Sequence, residues 1–144
     1  MLKTISLLGL VAMGAALVGL GFKGRLFSHQ PIAMVLQIVA IALIVWARTT
    51  FGVRSFHASA DPTEGGLVTT GPYGHIRHPI YTGACLFGLG GVVSYWSLLT
   101  AALGALLLAG GLVRMLCEEH LIKQSYPEYR EYSKVTKRMI PYVF

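Results

Sequence analysis

"PIYTGACLFGLGGVVSYWSLLTAALGALLLAGGLV", residues 79–113, runs for 35 residues without one Asp, Glu, Lys, Arg or His. As a single α-helix it would extend about 52 Å at 1.5 Å per residue, well past a hydrocarbon core of about 30 Å. A hairpin of two helices, each of about 17 residues, fits that thickness. The turn is expected near Tyr95-Trp96-Ser97, where aromatic rings suit a membrane–water interface. In the second helix Ala101, Ala105 and Ala109 recur at intervals of four, a small-residue stripe that predicts close helix packing. A hairpin also returns the chain to the side it left. His78 and Pro79 at its start are therefore expected beside Arg114 and Glu118 at its end.

The rest of the chain supports a bilayer as solvent. Of 144 residues 54% are hydrophobic and 12% charged, and the mean hydropathy is +0.62. Residues 4–22 are uncharged, and residues 31–47 form a shorter apolar stretch that Leu26 and Phe27 extend. The expected fold is an all-α integral membrane protein with about four transmembrane helices, a single domain over 1–144 whose first two spans lie in 1–47. Residues 4–22 could instead be a secretory signal, with Lys3 as its basic flank, but the run is longer than the usual signal core of about 7–15 residues. With four spans, Lys3, Arg48, Arg54, Arg77, Arg114, Lys123, Arg130, Lys134, Lys137 and Arg138 share one side. Only Lys23 and Arg25 lie on the other. The positive-inside rule places the richer side in the cytoplasm. The same rule accounts for the net charge of +6, and no aromatic-interleaved basic patch suggests nucleic acid. Cys85 and Cys117 give no disulfide framework. Past Glu118 the charges alternate with Leu121, Ile122, Tyr126, Tyr129, Tyr132 and Val135, which predicts a cytosolic amphipathic helix interrupted near Pro127, with a solvated basic tail as the alternative.

Three groups of residues could carry chemistry. Arg114 at the end of an apolar helix needs a partner or a task. Glu118, one turn on, can pair with it as a purely structural ion pair, while Glu119 adds a second negative charge. His75, His78, Cys117 and His120 are four potential zinc ligands, although neither H-x-x-H nor C-x-x-H matches a strong metal signature here. Gly71-Pro72 and His78-Pro79 explain a bend before a helix. They do not explain why Tyr73, Arg77, His78 and Tyr81 crowd around that bend. Exposed helix N-terminal amides flanked by such side chains suit an anionic group.

"LVTTGPYGHIRHPIYTG" (67–83), followed by "RMLCEEHLIKQSYPEYREY" (114–132) and "KRMIP" (137–141), resembles the isoprenylcysteine carboxyl methyltransferase family, relatives of the phospholipid N-methyltransferases. The resemblance covers roughly 64–141 and rests on G-x-Y-x3-R-H-P-x-Y-x-G followed by R-x3-E-E. It implies a membrane methyltransferase that uses S-adenosylmethionine. The implied cofactor-binding residues are Leu67, Val68, Tyr73, His78, Pro79, Ile80, Tyr81 and Glu118, with Glu119 as a second carboxylate. Arg114 matches an arginine at the substrate site. Arg138 and Pro141 match the family's ending. Where those enzymes carry a histidine two residues before the Leu-Val pair, this chain has Gly65. The implied acceptor is a lipophilic, prenylcysteine-like carboxylate entering from the bilayer among membrane lipids, with no nucleic-acid partner. A carboxylate is already ionised at neutral pH, so Arg114 would align it and no catalytic base is singled out. N- or S-methylation of a lipid or small hydrophobic acceptor, a metal-binding membrane protein, and a structural helical protein stand as alternatives.

Overall fold

A computed structural model describes residues 1–52 and 66–144. Arg54 and Gly65, and the first two positions of the 64–141 core, lie outside the described residues. Among the described residues five α-helices follow one another: α1 (Leu2–Phe22), α2 (Pro31–Phe51), α3 (Pro79–Ser94), α4 (Leu98–Ser125) and α5 (Tyr129–Val135), with a 3-10 turn at Gly71–Gly74 before α3. This is an all-α membrane protein. α1, α2 and α4 are each long and apolar enough to cross a bilayer, and α3 is a shorter apolar helix. α1 lies along α4 and α2 along α3, and the α3–α4 hairpin joins the two pairs.

The hairpin turns where the sequence reading placed it. Tyr95 caps α3 and Ser97 caps α4. The Ser97 hydroxyl accepts from the Thr100 amide at 3.2 Å, and Thr100 returns the contact to the Ser97 amide at 2.9 Å. This reciprocal box satisfies two amides that a helix start otherwise leaves open. The two arms are not equal, however. α3 has 16 residues and α4 has 28, because nothing in 114–125 breaks a helix. Residues 118–125, expected to begin a separate amphipathic helix, are the last turns of α4. Pro127 does interrupt, and the helix that restarts is only the seven-residue α5.

Close packing does not use the alanine stripe. Ala105 and Ala109 face outward and Ala101 is half-buried. The buried seam of α4 contains Gly104, Leu107, Gly110, Gly111 and Arg114. The reason is distance. A Cβ on Gly110 would stand 2.7 Å from the Gly9 carbonyl oxygen, and a Cβ on Gly9 would stand 2.8 Å from that of Gly110. α1 and α4 therefore cross backbone to backbone, where even alanine is too large. On the other pair, a Cβ on Gly83 of α3 would stand 2.9 Å from the Ala40 carbonyl of α2.

Far from the polar hairpin end, Gln37 is the one polar residue in the buried face of α2, which also holds Ala33, Ala40 and Ala47. Its amide donates to the carbonyls of Leu26 (2.7 Å) and Phe87 (2.9 Å) and accepts from the Ser28 amide (2.9 Å). The α1–α2 connection is thereby tied to α3. The outward faces expose Leu7, Leu8, Val11 and Val18 on α1, and Ile32, Val35, Ile38 and Val45 on α2, as expected of surfaces that meet lipid.

Gly110→Val is expected to force the α1–α4 crossing apart and cost about 1–3 kcal/mol, read as a lower Tm in detergent. Ala109→Val, on the exposed face, should leave the Tm where it was. Equal shifts in both variants would contradict the seam.

Candidate active site

The polar segment before α3 is shaped by its own backbone. Gly71 has φ +57, a left-handed conformation that glycine adopts without strain, and it opens the turn over Pro72 and Tyr73. The chain then runs beside its own C-terminal tail. Arg77 N–H donates to Lys137 O at 2.7 Å, and His78 N–H donates to Arg138 O at 2.9 Å, around a parallel bridge between Ile76 and Lys137. α5 covers this junction. The Tyr132 hydroxyl donates to Tyr73 O at 2.6 Å, and Arg77 Nη1 donates to the carbonyls of Ser133 and Thr136.

Two clusters form where α3 meets α4. In the first, the Tyr81 hydroxyl donates to Glu118 Oε1 at 2.7 Å, and Arg114 Nη2 reaches the same oxygen at 2.7 Å. Arg114 Nε donates to the Tyr81 hydroxyl and Nη1 to Ser6 Oγ, both at 2.9 Å. Arg114 is 2% exposed, so each of its nitrogens needs such a partner. The second cluster centres on Glu119. Its Oε1 meets Arg77 Nε at 2.9 Å and His78 Nε2 at 3.3 Å, while its Oε2 meets Arg138 Nε at 3.2 Å and Lys123 Nζ at 3.9 Å. The stacked rings of His78 and Tyr81, 5.8 Å apart, lie between the two.

The hairpin thus brings together Tyr81, Arg114 and Glu118, and sets His78 next to them on Glu119. Pro79 is buried at the first turn of α3, and Ile80 is half-buried beside it. Tyr73 is buried in the turn with its ring 5.4 Å from Phe51. Leu67 and Val68 are half-buried in the irregular segment entering the turn. Glu119 is the less accessible of the two carboxylates. Its side chain is 3% exposed and enclosed by cations, whereas that of Glu118 is 17% exposed. Glu118 is the reachable carboxylate. The four potential zinc ligands are not gathered: His75 and His120 are exposed while His78 and Cys117 are buried. No group of three or more His, Cys, Asp and Glu suited to a metal occurs among the described residues.

Sequence reasoning missed Ser6, the pairing of Arg138 with Glu119, and the Tyr132 contact. Ser6 had a usable signal, since the buried positions of α1 are Ser6, Gly9, Met13, Ala16 and Leu20, a spacing of three and four in which only Ser6 is polar. The other two depend on how the tail folds back, which no local pattern records.

Glu119→Gln is expected to leave Arg77, His78 and Arg138 without their buried counter-charge, a loss of about 3–5 kcal/mol. Limited proteolysis should then cut the tail beyond residue 128 far faster than in Glu118→Gln. Burial pushes the Tyr132 phenol up to about 12, against about 10 in an unfolded chain. Its folded pKa being the higher, its contribution is intact below about pH 10 and lost as the pH rises toward 12. Tyr132→Phe should flatten the fall of Tm across that window.

Residues 28–129 match the family described as phospholipid methyltransferase. A curated relative, the nickel-cobalt-cadmium resistance protein NccN of Alcaligenes xylosoxydans xylosoxydans, is 38% identical over 82 residues, which cover 52% of this chain and 36% of that protein. The chain thus spans little more than a third of that relative's length. No solved structure matches. The family match takes in α2, α3, α4 and both carboxylates, and on that extent the chain belongs to the phospholipid methyltransferase family, membrane methyltransferases that include the isoprenylcysteine carboxyl methyltransferases.

Proposed function

We propose that the chain transfers a methyl group from S-adenosylmethionine to a carboxylate on a lipophilic acceptor, at the cytoplasmic face of a multi-pass membrane protein. The observation that carries this reading is the Tyr81–Arg114–Glu118 cluster. It is a buried guanidinium at the end of an apolar hairpin, held against one partly exposed carboxylate.

The residues present fit the cofactor. Glu118 offers a reachable carboxylate for an ammonium group, and Tyr81 and Tyr73 place aromatic rings near it, which favours cationic ligands. Leu67, Val68, His78, Pro79 and Ile80 would complete that wall. S-adenosylmethionine, when bound, supplies a methyl group already activated by its sulfonium. The chain's own task is then to orient the acceptor and exclude water.

Arg114 is suited to an anionic acceptor. Ser6 is fully buried, while Tyr81 and Glu118 are partly exposed; Nη2, which meets the charged one of these, is the position at which an acceptor carboxylate would share or take over a contact. A protonated amine headgroup would be repelled there, which favours O-methylation over N-methylation. A carboxylate requires no proton removal, so neither histidine nor tyrosine has to act as a base. The ten-to-two split of basic residues supports a cytoplasmic site, where the water-soluble cofactor is available.

Calorimetry on the protein in detergent tests the division of roles. Wild type is expected to bind S-adenosylhomocysteine, and Glu118→Ala to weaken that binding about 10- to 100-fold, the scale of one lost hydrogen bond to a charged group. Arg114→Ala should keep the binding within a few-fold and lose methyl transfer to a prenyl thioether acid. Equal loss of both activities in each variant would refute the assignment.

A further inference from the structure

α1 lies wholly outside the 28–129 stretch of the family match, yet it touches the site through one side chain. Ser6 Oγ accepts from Arg114 Nη1 at 2.9 Å. Ser6 is 0% exposed and Arg114 2%, so no water can take over this contact. The approach that permits it is built into the next turn of the helix. A Cβ on Gly9 would stand 3.0 Å from the Arg114 amide nitrogen as well as 2.8 Å from Gly110 O. Glycine at position 9 therefore lets α1 lie directly on the backbone that carries Arg114, and Ser6, three residues earlier, shares its face.

A guanidinium is planar, with its donors in a fixed fork. Nε is held by Tyr81 from α3 and Nη1 by Ser6 from α1. Two anchors on different helices fix the plane and leave Nη2, now on Glu118, as the edge that can change partner. With Ser6 absent, Nη1 would face the apolar seam of α1, an outcome costly enough that the group would turn away. We propose that Ser6 is a positioning residue, supplied by a helix outside the matched stretch, which fixes the Arg114 guanidinium so that Nη2 is presented to the acceptor carboxylate. The proposal rests on the acceptor role given to Arg114 above.

Two measurements separate this proposal from that reading. The first needs no substrate. In protein carrying 15N-labelled arginine, Arg114 of wild type is expected to give resolved, slowly exchanging Nη signals. Ser6→Ala should average them, and Ser6→Thr, which keeps the hydroxyl, should restore them. Unchanged Arg114 signals in Ser6→Ala would overturn the proposal whatever the transfer assay gives. The second measurement uses labelled S-adenosylmethionine and a prenyl thioether acid. Ser6→Ala is expected to raise the acceptor KM about tenfold, the scale of one hydrogen bond to a charged group, while the Kd for S-adenosylhomocysteine stays within about twofold. Ser6→Thr should recover most of the KM. A variant that loses only Tm, with KM and kcat intact, would make Ser6 structural and overturn the proposal. Wild type that shows the resolved Arg114 signals but transfers no methyl group to any carboxylate would instead overturn the acceptor reading and leave the positioning intact.

Discussion

Successive residues on an α-helix point about 100° apart, and at the end of α4 this rotation separates two neighbouring carboxylates. Glu118 faces Arg114 and Tyr81; Glu119 faces Arg77, His78 and Arg138. Each charge sits where an apolar helix meets a polar surface, and neither can be buried alone. The structure around them supplies counter-charges from α4 itself, the segment before α3 and the C-terminal tail. One carboxylate is enclosed and holds the parts together. The other stays partly open.

That difference organises the polar end of the molecule. Glu119 draws Arg77 and Arg138 toward one point, and the two arginines belong to segments that already share backbone hydrogen bonds. The tail thus becomes part of the wall around Tyr73 and His78. At the first cluster, α1 and α3 approach Arg114 from different sides, each contributing one hydroxyl. A site at this position requires the helical hairpin, because residues 81 and 118 meet only if the chain folds back on itself at residues 95–97.

Much of this was legible in the sequence for physical reasons. An uncharged run too long for one span dictates a hairpin, and Tyr95-Trp96-Ser97 marks its turn. That geometry brings the start of α3, expected through His78 and Pro79, to Arg114 and Glu118; Tyr81, nearly one turn further along, makes the contact and His78 meets Glu119. Other features were not legible. Ala101, Ala105 and Ala109 have the spacing of a packing stripe, but an outward face tolerates small residues equally well, and the close crossing falls on Gly9 and Gly110. The separate duties of Glu118 and Glu119 cannot be read from two adjacent identical letters, since they depend on which cations the folded tail returns. Ser6 stands out as the polar member of the buried face of α1, but its partner depends on the α1–α4 crossing, which local spacing does not record.

The central claim is that the open carboxylate and the held guanidinium form the two halves of a methyl-transfer site. The most direct test incubates the purified protein with S-adenosylmethionine labelled in its methyl group, membrane lipid extract and small prenyl thioether acids. The products are then treated with mild base. The account predicts a label that enters the lipophilic acid, is released by base as a methyl ester must be, and disappears with Arg114→Ala. A base-stable label on an amine-bearing lipid, unaffected by Arg114→Ala, would contradict it.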